Sequence, residues 1–179
     1  WLAPVSLLAI LIVLVLLLRS IVAPLYLVFS VVVSFGATFG LSVFAFQQIF
    51  NHSGVAYSNG VWMFIFLVAL GADYNIFVMS RIREATQKEG FRDGVATAIG
   101  RTGGVITSAG IILAGTFAVL TTLPLRDIFQ LGFAVMLGVL IDTFVVRALL
   151  VPSMAVIFGE WSWWPRKTPI VVPVPHDNS

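Results

Sequence analysis

One acidic residue stands out within a long apolar stretch of the sequence. Asp73 is followed directly by Tyr74, whereas residues 20–72 contain no Asp, Glu, Lys or Arg. Apolar surroundings disfavour the charged form of a carboxyl group, so such a group is suited to bind and release a proton near neutral pH. A tyrosine hydroxyl beside it can donate a hydrogen bond to a carboxylate or accept one from a carboxylic acid. The pair therefore indicates a proton-carrying site.

Successive residues of a helix point about 100° apart, so Asp73 and Tyr74 cannot both face one neighbouring helix. We expect them to engage two different helices, or to bond crosswise with a symmetry-related partner. The alternative is that Asp73 only makes a polar contact that holds two helices together.

Composition places this pair in a membrane. The chain has 179 residues, of which 59% are hydrophobic and 10% are charged, and its mean hydropathy is +1.04. A soluble domain carries about 25% charged residues, so lipid must be the solvent and the protein an integral membrane protein. Cysteine is absent and the two histidines, His52 and His176, stand alone, so no metal site is predicted. No catalytic residue, cofactor or nucleic-acid partner is indicated, and the protein is predicted not to be an enzyme.

Five apolar runs are each long enough to cross a membrane as a helix, which takes about 20 residues. They are far longer than strands, and lipid leaves only helices and closed barrels able to satisfy their own backbone groups. The predicted fold class is therefore an all-α polytopic bundle of about five transmembrane helices. The runs are residues 1–18, 21–46, 60–80, 102–123 and 128–158.

Charged residues divide the chain into four parts. Residues 1–80 hold the first three helices and residues 102–160 the last two. Between them, residues 81–101 mix charged and apolar side chains. This pattern predicts one or two amphipathic helices on the cytoplasmic membrane surface, broken near Gly90, or else a solvated loop. Residues 161–179 begin with a Trp-rich segment, typical of an interfacial anchor, and continue as a proline-rich, disordered tail.

Basic residues predict the orientation, because Lys and Arg concentrate in cytoplasmic loops. With alternating spans, Arg19, residues 81–101, Arg166 and Lys167 share one side, and the other side has only Arg126. The N-terminus would then lie outside the cell and the C-terminus in the cytoplasm. The sequence opens at Trp1 within an apolar run, so we interpret it as a fragment of a longer membrane protein rather than one with a signal peptide.

Further polar residues fall at a similar predicted depth. A rise of about 1.5 Å per residue puts Asp73, Thr107, Ser108 and Asp142 in one layer, in the cytoplasmic half of the membrane. These residues, with Tyr74, form the predicted proton relay. Thr107 and Ser108 could instead bond only to their own backbone carbonyls.

Asp142 has an alternative role as well. It could pair with Arg147, five residues further along the same helix, and serve only packing. Arg147 would then extend its side chain to the cytoplasmic interface.

Several segments resemble the carboxy-terminal membrane region of MMPL-type transporters, which belong to the resistance-nodulation-division superfamily. They are GADYNIFVMSRIREA, TGGVITSAGIILAGTFAVLTTLP, LGFAVMLGVLIDTFVVRALLVPSM and GEWSWWPRK, and they cover most of residues 60–167. Residues 1–59 match mainly in layout.

The resemblance implies a larger protein. MMPL-type proteins have two pseudo-symmetric halves of six helices, each with a large extracytoplasmic domain after its first helix. This chain would hold the last five helices of the second half, in a bacterial cell membrane. The family couples export of lipid, lipid-linked or hydrophobic cargo to proton entry, through one Asp-Tyr pair in each half. Asp73 and Tyr74 match one pair, so the missing N-terminal half would supply the other.

Other functions stay open at this point. Protein-translocation accessories of the SecD/SecF type share the superfamily, and Ile82-Arg83-Glu84 fits them too. The Asp73-Tyr74-Asn75 triplet favours the MMPL type. A non-transporting helical scaffold is another alternative, whereas a pore is disfavoured because no ring of polar positions runs the length of any helix.

Overall fold

Five helical rods make up the fold in the computed structural model, which describes residues 2–51, 54–55 and 57–164. These residues contain no strand. The fifth rod is continuous over Arg126–Phe158 and changes helical form along its length. The elements are α1 (Leu2–Leu18), α2 (Val22–Gln48), α3 (Tyr57–Glu89), α4 (Phe91–Leu120), α5 (Arg126–Ile141), a π-helical segment (Asp142–Leu150), α6 (Val151–Phe158) and a closing 3-10 turn (Gly159–Trp163).

The predicted all-α membrane bundle is confirmed. Four rods, α2, α3, α4 and the fifth, are long and apolar enough to cross a membrane. The first helix, α1, has 17 residues and is apolar but shorter. Large apolar side chains cover the outside of the bundle, as a surface in contact with lipid tails allows. Strongly exposed examples are Leu16, Ile112, Val119, Leu149 and Ile157.

Proline positions agree with these helices. Pro4 and Pro24 lie in the first turns of α1 and α2, where the missing N–H would have no helical partner in any case. Pro152 is different, because it lies inside the fifth rod, two residues after the π-helical segment ends at Leu150. The change in helical form thus falls next to the residue that cannot donate a backbone hydrogen bond.

The bundle has two distinct ends. The Gly90 end carries the α1–α2 and α3–α4 turns and the closing 3-10 turn, and the Asn51 end carries the α2–α3 and α4–α5 loops. An apolar cluster fills each end. At the Gly90 end it includes Leu14, Tyr26, Met79, Ile82, Val95 and Trp163, and at the Asn51 end Phe46, Met63 and Ala134. Buried polar residues lie between the clusters, among them Ser34, Thr38, Asn75, Asp142, Thr143 and Arg147.

Residues 81–101 form the ends of α3 and α4 and the turn between them. α3 runs on to Glu89, and α4 begins at Phe91, so Gly90 alone separates the two helices. Its φ of +83° is a conformation that favours glycine. Gly94 lets the helices close on each other, because a Cβ there would lie 2.5 Å from the Thr86 Cα and 2.8 Å from the Ala85 carbonyl carbon.

The Trp-rich segment folds back on the α1–α2 turn. The Ser20 hydroxyl donates a 2.5 Å hydrogen bond to the carbonyl of Ser162. The Arg83 guanidinium lies 5.6 Å from the ring centre of Trp163 and donates to the carbonyl of Leu18 at 3.0 Å. Trp163 is therefore a core residue, while Trp161 and Trp164 are exposed. The predicted tail from residue 165 onward, with His176, and the loop residue His52 lie outside the described residues.

Gly94→Ala tests the close α3–α4 approach. We expect it to lower the stability of the protein in detergent by about 1–3 kcal/mol, because the added methyl meets backbone atoms that cannot rotate away. The measurement is the midpoint of thermal unfolding of the purified full-length protein. Gly104→Ala is the matched control, since a Cβ at Gly104 has no atom within 4 Å. Equal midpoints for the two variants would contradict the packing described.

Candidate proton site

A buried ion pair lies at the centre of the polar layer. Arg147 donates a hydrogen bond to the carboxylate of Asp142, and both residues are only 6% exposed. In an α-helix, residues five apart point about 140° away from each other. A π-helix bonds each residue to the one five positions away, and the Val151 N–H accordingly donates to the carbonyl of Val146. The π-helical segment thus places Arg147 beside Asp142.

Tyr74 reaches this ion pair from α3. The Arg147 guanidinium carbon lies 4.0 Å from the centre of the Tyr74 ring, which is the geometry of a cation–π contact. Arg147 also approaches the carbonyl of Leu70, one helical turn before Tyr74, at 3.5 Å. A small cavity of about 10 Å³ adjoins Tyr74, Asp142 and Arg147, and Ser34 of α2 lines it as well.

Asp73, unlike Tyr74, does not reach the ion pair. Its side chain is exposed, and within the part of the chain that the structure describes it makes no hydrogen bond or ion pair. It lies between two open apolar grooves. One, of about 330 Å³, runs between α1 and α3, and the other, of about 530 Å³, runs between α3 and α4. An unpaired carboxylate on an apolar surface has a high free energy in lipid. We therefore expect Asp73 to have a partner in the membrane.

Thr107 and Ser108 lie on α4 beside this groove. Thr107 is half-buried, whereas Ser108 is exposed and donates to the carbonyl of Val105 at 3.0 Å. Neither lines the α3–α4 groove, whose α4 wall consists of Val105, Ile106, Ala109 and Leu113. The structure therefore brings Tyr74 and Asp142 together through Arg147, but brings neither Thr107 nor Ser108 to them.

α4 nevertheless contacts the π-helical segment at Gly110, about one turn after Thr107. A Cβ at Gly110 would lie 2.3 Å from the Thr143 hydroxyl oxygen, so the two helices are in contact there. Thr107 and Ser108 lie within one turn of this contact, and the residue after Asp142 forms its other side. The predicted common depth of Asp142 and these two hydroxyl residues agrees with this register.

The position of the Arg147 side chain differs from one expectation from the sequence. It pairs with Asp142 as one alternative predicted, but its side chain does not extend to an interface, because it is 94% buried beneath Tyr74. Sequence reasoning also missed the buried polar residues Ser34, Asn75 and Thr143. A signal existed for the first, since Ser30, Ser34, Thr38 and Ser42 recur every four residues along α2.

Comparison with known proteins shows the family of this chain. Residues 1–177 match the MMPL family. The chain belongs to the MMPL family. It is 49% identical, over 91% of its length, to the "Putative membrane protein ActII-3" of Streptomyces coelicolor. It is 45% identical, over 84% of its length, to the "Apo-petrobactin exporter" of Bacillus anthracis, and 46% identical, over 83%, to the "Acyltrehalose exporter MmpL10" of Mycobacterium tuberculosis.

The matched regions are small parts of these MMPL proteins. They span 23% of the Streptomyces protein, 20% of the Bacillus protein and 15% of the mycobacterial protein. Family membership, together with the four apolar rods, supports a multi-pass bacterial membrane protein of a transporter family. Within this MMPL chain, Tyr74 contacts the buried ion pair, whereas Asp73 makes no polar contact among the described residues.

Removing one member of the buried ion pair should destabilise the protein. Arg147→Leu leaves Asp142 buried without its counter-charge, which costs about 3–5 kcal/mol. The double variant Asp142→Leu/Arg147→Leu removes both charges and should be more stable than the single variant. The measurement is the thermal unfolding midpoint of the full-length protein in detergent.

Arg81→Leu is the control for loss of a charge alone. Arg81 pairs with Glu84 at 3.0 Å, with both side chains about half exposed, so its removal should change stability by at most about 1 kcal/mol. A double variant that is no more stable than Arg147→Leu would instead assign the loss of stability to the contact of Arg147 with Tyr74, which both variants lack.

Proposed function

We propose that this chain is the proton-coupling membrane half of an exporter driven by the proton gradient. The observation that carries the proposal is the different surroundings of two neighbouring residues that share one groove. Asp73 is exposed and unpaired, whereas Tyr74, which also lines the α3–α4 groove, is held by Arg147. A carboxyl group that meets a partner only across an open groove is suited to take up and pass on a proton as that groove opens and closes.

Asp73 is the proton carrier in this proposal. Tyr74 supplies a hydroxyl for a partner carboxylate, and its ring is fixed by the stacked guanidinium, so the hydroxyl keeps one direction. Asp142 neutralises Arg147, which allows a cation to remain beneath the ring in apolar surroundings. Thr107 and Ser108 extend the relay along α4 when α4 shifts against the π-helical segment.

The partner of Asp73 is the N-terminal half of the same polypeptide. Its own Asp-Tyr pair would dock against the two grooves that flank Asp73, and the two pairs would bond crosswise. The fraction of the relatives' length that this chain spans supports a longer protein. The Gly90 end, with Arg81, Arg83, Lys88 and Arg92, would then face the cytoplasm.

The proposed cargo is a lipid or another hydrophobic compound. Two relatives are named as exporters, one of apo-petrobactin and one of acyltrehalose, and those names concern those proteins. Membership of the MMPL family favours an exporter over a SecD/SecF-type accessory or a scaffold. Stable association of the full-length protein with the secretory channel, without export of a lipid, would favour the accessory.

Asp73→Asn should abolish proton-coupled export while leaving the protein in the membrane, because the amide has nearly the shape of the carboxyl group and cannot carry the proton. Export by cells and proton entry into vesicles that contain the full-length protein are the measurements. Asp93→Asn, which also neutralises an exposed carboxylate but lies near the Gly90 turn, should transport normally. Export by Asp73→Asn at the parental rate would refute the relay.

Two substitutions of Tyr74 should distinguish its effect on stability from its effect on transport. Tyr74→Phe keeps the ring over Arg147 and removes the hydroxyl, so its unfolding midpoint should stay near that of the parent while export falls sharply. Tyr74→Leu loses the cation–π contact as well, which is worth about 2 kcal/mol where it is desolvated, and should lower both. Normal export by Tyr74→Phe would remove the hydroxyl from the mechanism.

A further inference from the structure

Two rows of residues face each other between α2 and the fifth rod. On α2 the row is Ser30, Ser34, Thr38 and Ser42, all buried and four residues apart. On the fifth rod it is Gln130, Ala134, Gly138 and Asp142, with the same spacing. A Cβ at Gly138 would lie 2.9 Å from the Thr38 methyl, and Ser34 and Asp142 line one cavity. These two contacts set the antiparallel register, which places Ser42 opposite Ala134.

Several polar atoms in this interface have no protein partner. Among the described residues, the hydroxyls of Thr38 and Ser42 are buried without a hydrogen bond, and so are Nε and Nη1 of Arg147. Ser30 differs, because its hydroxyl donates to the carbonyl of Leu27 at 2.7 Å. Buried polar groups are nearly always hydrogen-bonded, to protein or to ordered water. Orphaned groups that recur along one seam therefore point to a shared ligand.

The cavity at the end of the seam near Asp142 fits a water molecule. Its volume of about 10 Å³ is close to what one water needs, and a buried water takes two to four polar partners. Ser34, Tyr74, Asp142 and Arg147 line it and offer donors and acceptors. Two of the unpartnered nitrogen atoms belong to Arg147, which lines this cavity.

The hydroxyls of Thr38 and Ser42 lie opposite small residues of the fifth rod. Gly138 and Ala134 face Thr38 and Ser42 and offer them no side-chain polar group. Beyond Ser42, Phe46 and Met63 are fully buried and pack with Ala134, so the seam ends at an apolar barrier. On the far side of that barrier, the Asn59 amide donates to Gln130 at 3.3 Å, and Gln130 donates to the carbonyl of Gly54 at 3.0 Å.

We propose that internal water molecules bind along the seam between α2 and the fifth rod, from Ser42 to the Asp142–Arg147 pair. Phe46 and Met63 separate this water from the Asn51 end. The hydration itself is independent of proton coupling. Its use as a second proton branch, from Ser42 to Arg147 and Tyr74, rests on the function proposed above.

Cysteine reactivity with silver ions tests the hydration. This chain contains no cysteine, so single cysteines can be placed in the full-length protein after any others are replaced by serine. Thr38→Cys puts a thiol in the seam. Ala37→Cys puts one at the same depth on the lipid-facing side of α2, and Ala114→Cys puts one in an apolar cluster with Val135 and Val139. The readout is the fraction of thiol still free to react with maleimide after denaturation.

A hydrated thiol ionises and reacts, whereas a thiol in dry apolar surroundings does not. We expect silver to block Thr38→Cys at least about tenfold faster than either control. If Thr38→Cys reacts no faster than Ala114→Cys, the seam is dry, the hydroxyls bond only to their own backbone, and the proposal is wrong. Should Thr38→Cys fail to elute as the parent does in size exclusion, Ser42→Cys takes its place with the same two outcomes.

This result is separable from the proposed function. Silver reactivity needs no transport, and Asp73 lies outside the seam, on the open side of α3. Reaction of Thr38→Cys together with normal export by Asp73→Asn would support the hydration and refute the relay. The reverse combination would support the relay and refute the hydration.

Discussion

A charge inside apolar surroundings must find a partner, and the interior of this bundle is arranged around one such pair. Asp142 and Arg147 lie five residues apart on one rod, so the rod adopts a π-helical segment that brings them together. The ring of Tyr74 stacks against the guanidinium from α3. Gly110 lets α4 approach the same segment at Thr143. Two other helices, α3 and α4, thus contact this nine-residue segment of the fifth rod.

This pairing leaves α3 with two unlike sides. Toward the bundle interior, Tyr74 is held by a neutralised cation. Toward the outside, Asp73 has open grooves on both flanks and no partner within the described residues. The packed side keeps the helix in place, and the open side leaves the Asp73 carboxyl group accessible from the two grooves. Adjacent residues of one helix can divide these tasks because they point about 100° apart.

The ends of the bundle differ from its middle. Each end is closed by an apolar cluster, and the α3–α4 turn at Gly90 is tight enough that Gly94 contacts the backbone of α3. The middle holds hydroxyls, an amide and the ion pair, several of them without protein partners. Buried polar groups of this kind are nearly always hydrogen-bonded, to protein or to ordered water.

The sequence by itself determined the fold class and the family, because apolar runs much longer than strands satisfy their backbone groups in lipid as helices, and because the segment around Asp73 and Tyr74 is distinctive. It also indicated that Asp142 and Arg147 could pair. Only the tertiary structure decided which way each side chain points. The π-helical segment, the stacking of Arg147 on Tyr74 and the meeting of Ser34 with Asp142 depend on contacts between helices far apart in sequence, and on a helical form that periodicity does not reveal. Exposure of Asp73 was likewise a tertiary result, since an apolar helix carries no polar face from which its orientation could be predicted.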